Sequence, residues 1–435
     1  GGEERSGMMA PRCYCGAWLV AVGMLVVKHV HSFNSNRLLN TLFEHTTRSK
    51  SFLSGISSEE FSLQFDNLPR KRPNGSPHGY TVALIVPTGI GASIGGYAGD
   101  ALPVARAFAS VADTVLTHPN VMNGASLYWP QDNILYVEGY ALDEVAKGNW
   151  GLLPVVRGSN RIGLLLDAAM DEDMRLRHVQ AARAARATLG VDVAEYAVTD
   201  APIGVTLRMS PGGASWGAVD NPGTVLRGAR RLVEEGGCTA IALVARFPED
   251  EDPAMLQAYR EGGGVDAVGG AEAILSHLVV QELKIPCAHA PGLDPLDADP
   301  AVAPRACAEE LGHTFLPCVL ANLRRAPRLL PAPPEALSAR EAAAGLFAGD
   351  IDAAVLPLSA CGGPAALALG ATPGALVVAV EENATDMRVS PADLGFENAV
   401  VVRSYFEALG VVAAHRAGIN GASLTASENQ IQFRQ

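Results

Sequence analysis

The chemistry-bearing residues of this 435-residue chain gather at the exits of short apolar runs. Cys361 lies in SACGGP, between a β-branched run and a small-residue segment. A thiol at a helix start meets unpaired N–H groups and the positive end of the helix dipole, which favour thiolate, so Cys361 is a candidate nucleophile or base. His118 lies in THPN at the exit of another run and is the second candidate for proton transfer, with Asn120 and Asn123 beside it as ligand donors. Glu382 and Asn383 close a third run, where paired oxygens can hold a ribose, a metal or an amide. His277, alone in an apolar helical segment, reads as a core residue. Cys287 and His289, two apart, share one face of an extended segment.

These residues surround a stretch that organises the chain, YTVALIVPTGIGASIGGYAGD at residues 80–100. An apolar strand stops at Pro87 and feeds a turn holding Thr88, Gly89, Gly91, Gly95, Gly96 and Gly99, followed by Asp100. Glycines let backbone N–H groups approach an anion at the next helix start, so this loop is the expected phosphate or carboxylate site. A second glycine-rich loop at 210–221, containing Gly213, offers another wall. The fingerprints that would name a ligand are not met. After Gly89 and Gly91 the next glycine is Gly95, which breaks GxGxxG; no Lys followed by Ser or Thr completes a phosphate loop, and GASIGG is not GxSxG.

Positioning such loops takes strands alternating with helices. The clearest helix opens on Asp171, Glu172 and Asp173, runs to Leu189 and closes at Gly190. Asn221 before Pro222 starts another, and a helix over 338–347 leads into strands at 352–358 and 375–380. The fold class is α/β: two Rossmann-like lobes with largely parallel sheets and Gly-rich strand-to-helix loops. The expected division is 80–200 and 201–421, split near residue 200 or between 326 and 335, with a tail over 422–435.

Charge and cysteine usage limit the function classes. Residues 1–79 hold nine Lys or Arg against six Asp or Glu, leaving 24 basic and 40 acidic residues in the body, a net of −16. Such a body excludes broad nucleic-acid binding. Seven scattered cysteines, without CxxC or zinc spacing, read as reduced thiols, so no metal is expected and no cofactor is named. An apolar run of about eleven residues, AWLVAVGMLVV, is too short for a bilayer span of roughly 20 residues. The following Ser/Thr/Asn-rich stretch contains Lys28, Arg37, Arg48 and Lys50. Residues 1–60 therefore read as a two-part signal and transit presequence, with 61–79 as linker, and the expected location is a plastid stroma of secondary red-algal origin. A secreted or membrane-anchored protein is the alternative.

The combination PTGIGASIGGYAGDALPVARA, THPNVMNGA and ENATDM resembles an uncharacterised family of cyanobacteria and plastids, a domain of unknown function, over about residues 80–421. That resemblance implies no activity. The placement of Cys238 and Cys361 bears a more distant likeness to the aspartate/glutamate racemases, which carry two cysteines in facing α/β lobes, although the sequence around each cysteine differs. The expected function is an enzyme binding a small anionic metabolite in an inter-lobe cleft. The rivals are a cysteine-dependent racemase or isomerase and a non-catalytic metabolite-binding or assembly protein. No nucleic-acid partner is expected, nor a membrane once the presequence is removed; self-association as a homo-oligomer stays open.

Overall fold

The computed structural model describes residues 76–424, apart from residue 98 and stretches at 123–126, 128, 156–158, 249–252, 295–296 and 311–315. The expected presequence, most of the linker, Asn123 and nearly all of the tail lie outside the described residues. In chain order the strands are β1 (Thr81–Leu84), β2 (Thr114–Thr117), β3 (Ile134–Tyr136), β4 (Gly151–Leu153), β5 (Ile162–Leu166), β6 (Val193–Val198), β7 (Val205–Met209), β8 (Ser215–Val219), β9 (Ala240–Arg246), β10 (Cys287–Gly292), β11 (Arg328–Leu330), β12 (Ile351–Pro357), β13 (Leu376–Val380) and β14 (Ala399–Val402).

The protein is α/β with two parallel sheets. The first has the order β14-β13-β12-β1-β2-β3, which is the doubly wound dinucleotide-fold order once β12, β13 and β14 are counted as its second half. The second is β10-β9-β5-β6, also parallel throughout. All residues of β1, β5, β12 and β13 are buried, as expected of strands covered by helices on both faces. Two antiparallel pairs, β11 with β4 and β7 with β8, complete the pairing.

The chain leaves the first sheet after β3 and returns only at β12, so the second sheet is an insertion into the first. The expected boundary near residue 200 therefore falls between β6 and β7, inside the insertion, with β5 and β6 on one side and β9 and β10 on the other. Parallel pairing thus joins strands far apart in sequence, β5 and β6 with β9 and β10 in one sheet. The alternative at 326–335 contains β11 and precedes the return at β12, with helix Ala339–Ala344 between them.

Local signals decide most element ends. Helix Glu172–Leu189 begins where Asp171 accepts a 2.7 Å bond from the Met174 N–H and ends at Gly190. Helix Pro222–Glu234 starts at the expected place, but Asn221 does not cap it: its Nδ2 donates instead to the Pro202 carbonyl at 2.8 Å. The expected 338–347 helix is a shorter one, Ala339–Ala344, capped by Ser338. The 210–221 glycine loop is largely the β7–β8 hairpin. Gly217 belongs there because a Cβ at that position would lie 2.4 Å from the Ala271 Cβ, so only glycine lets helix Gly269–Leu283 seat on β8. Among the described residues no helix is long and apolar enough to cross a membrane.

Candidate functional site

A cavity of about 510 Å³ opens where β1, β2, β3 and β10 end. The segments leaving β1, β2 and β3 contribute Thr88, His118 and Glu138, and β10 contributes His289. Helix Gly269–Leu283 presents Glu272 and Ser276, one turn apart at i, i+4 on one face, and His277 at the next position round. Open α/β sheets collect ligand groups at strand C-termini because the following loops converge there.

Glu138 is the centre of the polar network. One carboxylate oxygen accepts from the N–H groups of Tyr140 (2.9 Å) and Ala141 (3.3 Å), capping helix Gly139–Ala146. The other pairs with Nδ1 of His277 by charge and accepts the Ser276 hydroxyl at 3.3 Å. Ser276 Oγ in turn shares a 3.1 Å hydrogen bond with Nδ1 of His289, whose Nε2 lies 3.7 Å from Glu272. His118 is fixed separately: its Nε2 accepts the Val86 N–H at 3.0 Å, which places the ring proton on Nδ1.

The three histidines are driven apart in pKa. Burial, aided by the charge of His277, lowers His118 to about 4 and His289 to about 3, so both rings are neutral at physiological pH. Burial also acts against His277, but Glu138, with Asp143 beyond it, outweighs that and raises its pKa. One histidine with a raised pKa beside two neutral imidazoles is the division of labour that acid–base chemistry needs. Among the described residues no group of three or more His, Cys, Asp or Glu is arranged to hold a metal ion.

The chain matches the family described as a protein of unknown function, DUF3326, over residues 81–425. The chain belongs to this family. It is also 51% identical over 354 residues to an uncharacterized lipoprotein of Synechococcus sp. (strain PCC 6301), covering 81% of this chain and 95% of the relative. No solved structure matches it.

Of the residues singled out in the sequence, Thr88, His118, Asn120, His277 and His289 line the cavity. Asn120 works as a brace, its Nδ2 donating to the Val86 carbonyl at 2.8 Å. The glycine loop spends its donors on the fold: the N–H groups of Ser93, Ile94, Gly95 and Gly99 go to Ala384 O, Asn383 Oδ1, Asp100 Oδ1 and Asn120 O. Gly91 and Gly213 face Asp386, and a Cβ on Gly96 would lie 2.1 Å from the Ala92 carbonyl oxygen. The glycines there serve close packing, Gly91 and Gly213 against Asp386, Gly96 within the loop, Gly95 against Val86 and Gly89 against Ser215.

Asn383 and Glu382 are structural for the same reason. Asn383 is fully buried; it clamps both backbone groups of Ile94 and donates to the Tyr405 hydroxyl at 2.7 Å. Glu382 accepts the Tyr405 N–H at 2.7 Å, at the start of helix Tyr405–Ala417. Cys361 corrects the thiolate expectation. It is fully buried, does not line the cavity, and its Sγ contacts the carbonyls of Pro357 and Leu358. Burial and then the charge of Asp393 push its thiol up to about 12, since desolvation overrides any help from the seven-residue helix Pro364–Gly370. Cys238 is buried as well, and burial raises its pKa.

Glu138, Glu272 and Ser276 were not singled out. Glu138 carried a signal: an acid directly after the apolar NILYV run and before a glycine marks an N-cap at a strand exit. The pairing of Glu138 with His277 had none, because 139 positions of sequence separate the partners.

Proposed function

We propose that the protein is an enzyme that binds a small polar metabolite in this cavity and transfers protons to and from it. The observation that carries the reading is the ion pair of Glu138 with His277 in a cavity shared with the neutral rings of His118 and His289. His277, held charged by Glu138, is the general acid, and returns as base once it has given up its proton. His118, with Nε2 engaged by Val86, has only its Nδ1–H to offer; a neutral imidazole N–H can stabilise negative charge on a substrate oxygen without itself ionising. Glu138 and Ser276 are positioning residues. With Cys361 outside the cavity, a proton-transfer isomerase or lyase fits better than the cysteine-dependent racemase. The anionic metabolite expected at the glycine loop loses support, because the N–H groups of Ser93, Ile94, Gly95 and Gly99 are engaged within the protein.

The test is turnover of a natural metabolite pool. A cyanobacterial metabolite extract incubated with the wild-type protein and with His277→Gln, then profiled by mass spectrometry, should show compounds consumed by the first and spared by the second. Identical profiles would remove the enzymatic reading and leave the metabolite-binding protein.

The proposed location is the plastid, supported by the presequence-like composition and by a cyanobacterial relative. The word lipoprotein in that relative's description favours the alternative of a membrane-anchored form. Imaging a fluorescent protein fused behind residues 1–79 in a host with secondary plastids separates the two.

A further inference from the structure

Two side chains of the cavity wall are held rigidly, and each keeps one polar atom free. His118 and Asn120, just beyond β2, line the cavity and are only 6% and 8% exposed. Both are anchored on the chain leaving β1. His118 Nε2 accepts the Val86 N–H at 3.0 Å, and Asn120 Nδ2 donates to the carbonyls of Val86 at 2.8 Å and Pro87 at 3.3 Å. These bonds fix what remains: His118 carries its proton on Nδ1, and Asn120 turns Oδ1 away from the two carbonyls, because an amide oxygen set against them would repel them. Among the described residues neither Nδ1 nor Oδ1 has a hydrogen-bond partner, and neither atom is sealed off by packing. An unmet donor and an unmet acceptor in a largely desolvated wall select between ligands, since a ligand lacking either counterpart leaves one of them unsatisfied.

We propose that the substrate carries a primary carboxamide or a lactam, its carbonyl oxygen accepting the His118 Nδ1–H and its own N–H donating to Asn120 Oδ1. This rests on the acid–base reading above and names the substrate class for it. The wall offers one donor and one acceptor. A carboxylate brings acceptors only and would set an oxygen against Asn120 Oδ1, whereas an ammonium brings donors only and would set one against the His118 N–H. A secondary amide in its usual trans form points C=O and N–H in opposite directions; a primary carboxamide or a lactam presents both on one edge. Met255, Leu256, Val265 and Leu293 give the cavity an aliphatic surface for the hydrocarbon part of such a ligand. A proton taken by unprotonated His277 from the carbon beside that carbonyl leaves its electron pair on the carbonyl oxygen, where the same His118 N–H meets it.

The experiment is a ligand-detected NMR titration of the full chain at pH 7 with three five-membered rings. These are 2-pyrrolidinone, which offers both groups, N-methyl-2-pyrrolidinone, whose N–H is blocked, and cyclopentanone, which has the carbonyl alone. The first should bind about tenfold more tightly than either of the others. Asn120→Ala should remove that preference and bring the three within about threefold of one another; if the variant does not fold, for want of the brace on Val86, the ranking on the wild-type protein decides alone. Absence of 2-pyrrolidinone binding, equal or tighter binding of either analogue, or a preference that survives in folded Asn120→Ala overturns the inference. If 2-pyrrolidinone fails while the extract assay still shows His277-dependent turnover, only the substrate class falls; if the extract profiles are identical but the preference is found, the acid–base reading falls and the amide site stands.

Discussion

Glu138 and His277 are joined across the cavity wall by an ion pair in which the same carboxylate also caps a helix. The glutamate side chain is almost wholly buried, and its two oxygens are met by two backbone N–H groups and by the His277 ring. This coupling ties the protonation of the proposed acid to the integrity of helix Gly139–Ala146.

Glu138→Gln should therefore lower the pKa of His277, read from its ring proton resonances in an NMR titration. Because the folded pKa is raised, the pairing stabilises the protein fully below the unfolded value and is lost as pH rises through the folded value. The variant should lose about 1–3 kcal/mol at pH 6 and less at pH 9, measured by denaturant unfolding. A His277 pKa unmoved by the substitution would remove Glu138 from its role.

The two neutral histidines predict the opposite dependence. His118 and His289 have folded pKa values of about 4 and 3, below the unfolded value, so the unfolded chain takes up protons first as pH falls. Stability should decline from about pH 6.5 downward, by several kcal/mol by pH 4. His118→Gln should flatten part of that slope in a series of thermal melts, and a slope identical to wild type would contradict the assignment.

Cys361 should behave as an inert thiol. With its pKa pushed up to about 12, iodoacetamide at pH 8 should label the half-buried Cys307 well before Cys361 when sites are mapped by mass spectrometry. Cys361→Ala should leave turnover of the metabolite pool unchanged. Rapid labelling of Cys361 in the folded protein would restore it as a nucleophile.

Asn383→Ala should loosen the glycine loop. It removes the clamp on Ile94 and the partner of the Tyr405 hydroxyl, leaving buried polar groups unsatisfied at a cost of about 2–4 kcal/mol. Faster amide exchange confined to residues 92–96 and to the start of helix Tyr405–Ala417 would show it. Gly95→Val should be destabilising too, since Gly95 has φ +85° and a Cβ there would lie 2.8 Å from a Val86 methyl.

The sequence by itself determined the α/β class, the buried strands and the ends of helices such as Glu172–Leu189, because those follow from runs of apolar residues and from caps a few positions apart. It also drew attention to His118 and Thr88, since strand exits are legible wherever an apolar run stops at polar or turn-forming residues. Only the tertiary structure decided which of these exits share a space. The insertion after β3 brings helix Gly269–Leu283 and β10 against the exits of β1 to β3, and so makes His277 a partner of Glu138 instead of a core residue, and His289 a partner of Ser276. It likewise turned the glycine loop from an anion cradle into a packed turn and buried Cys361. Burial and long-range pairing set both outcomes, and neither leaves a local trace: desolvation depends on what the rest of the chain places over a group, and an ion pair formed across 139 positions has no spacing to read.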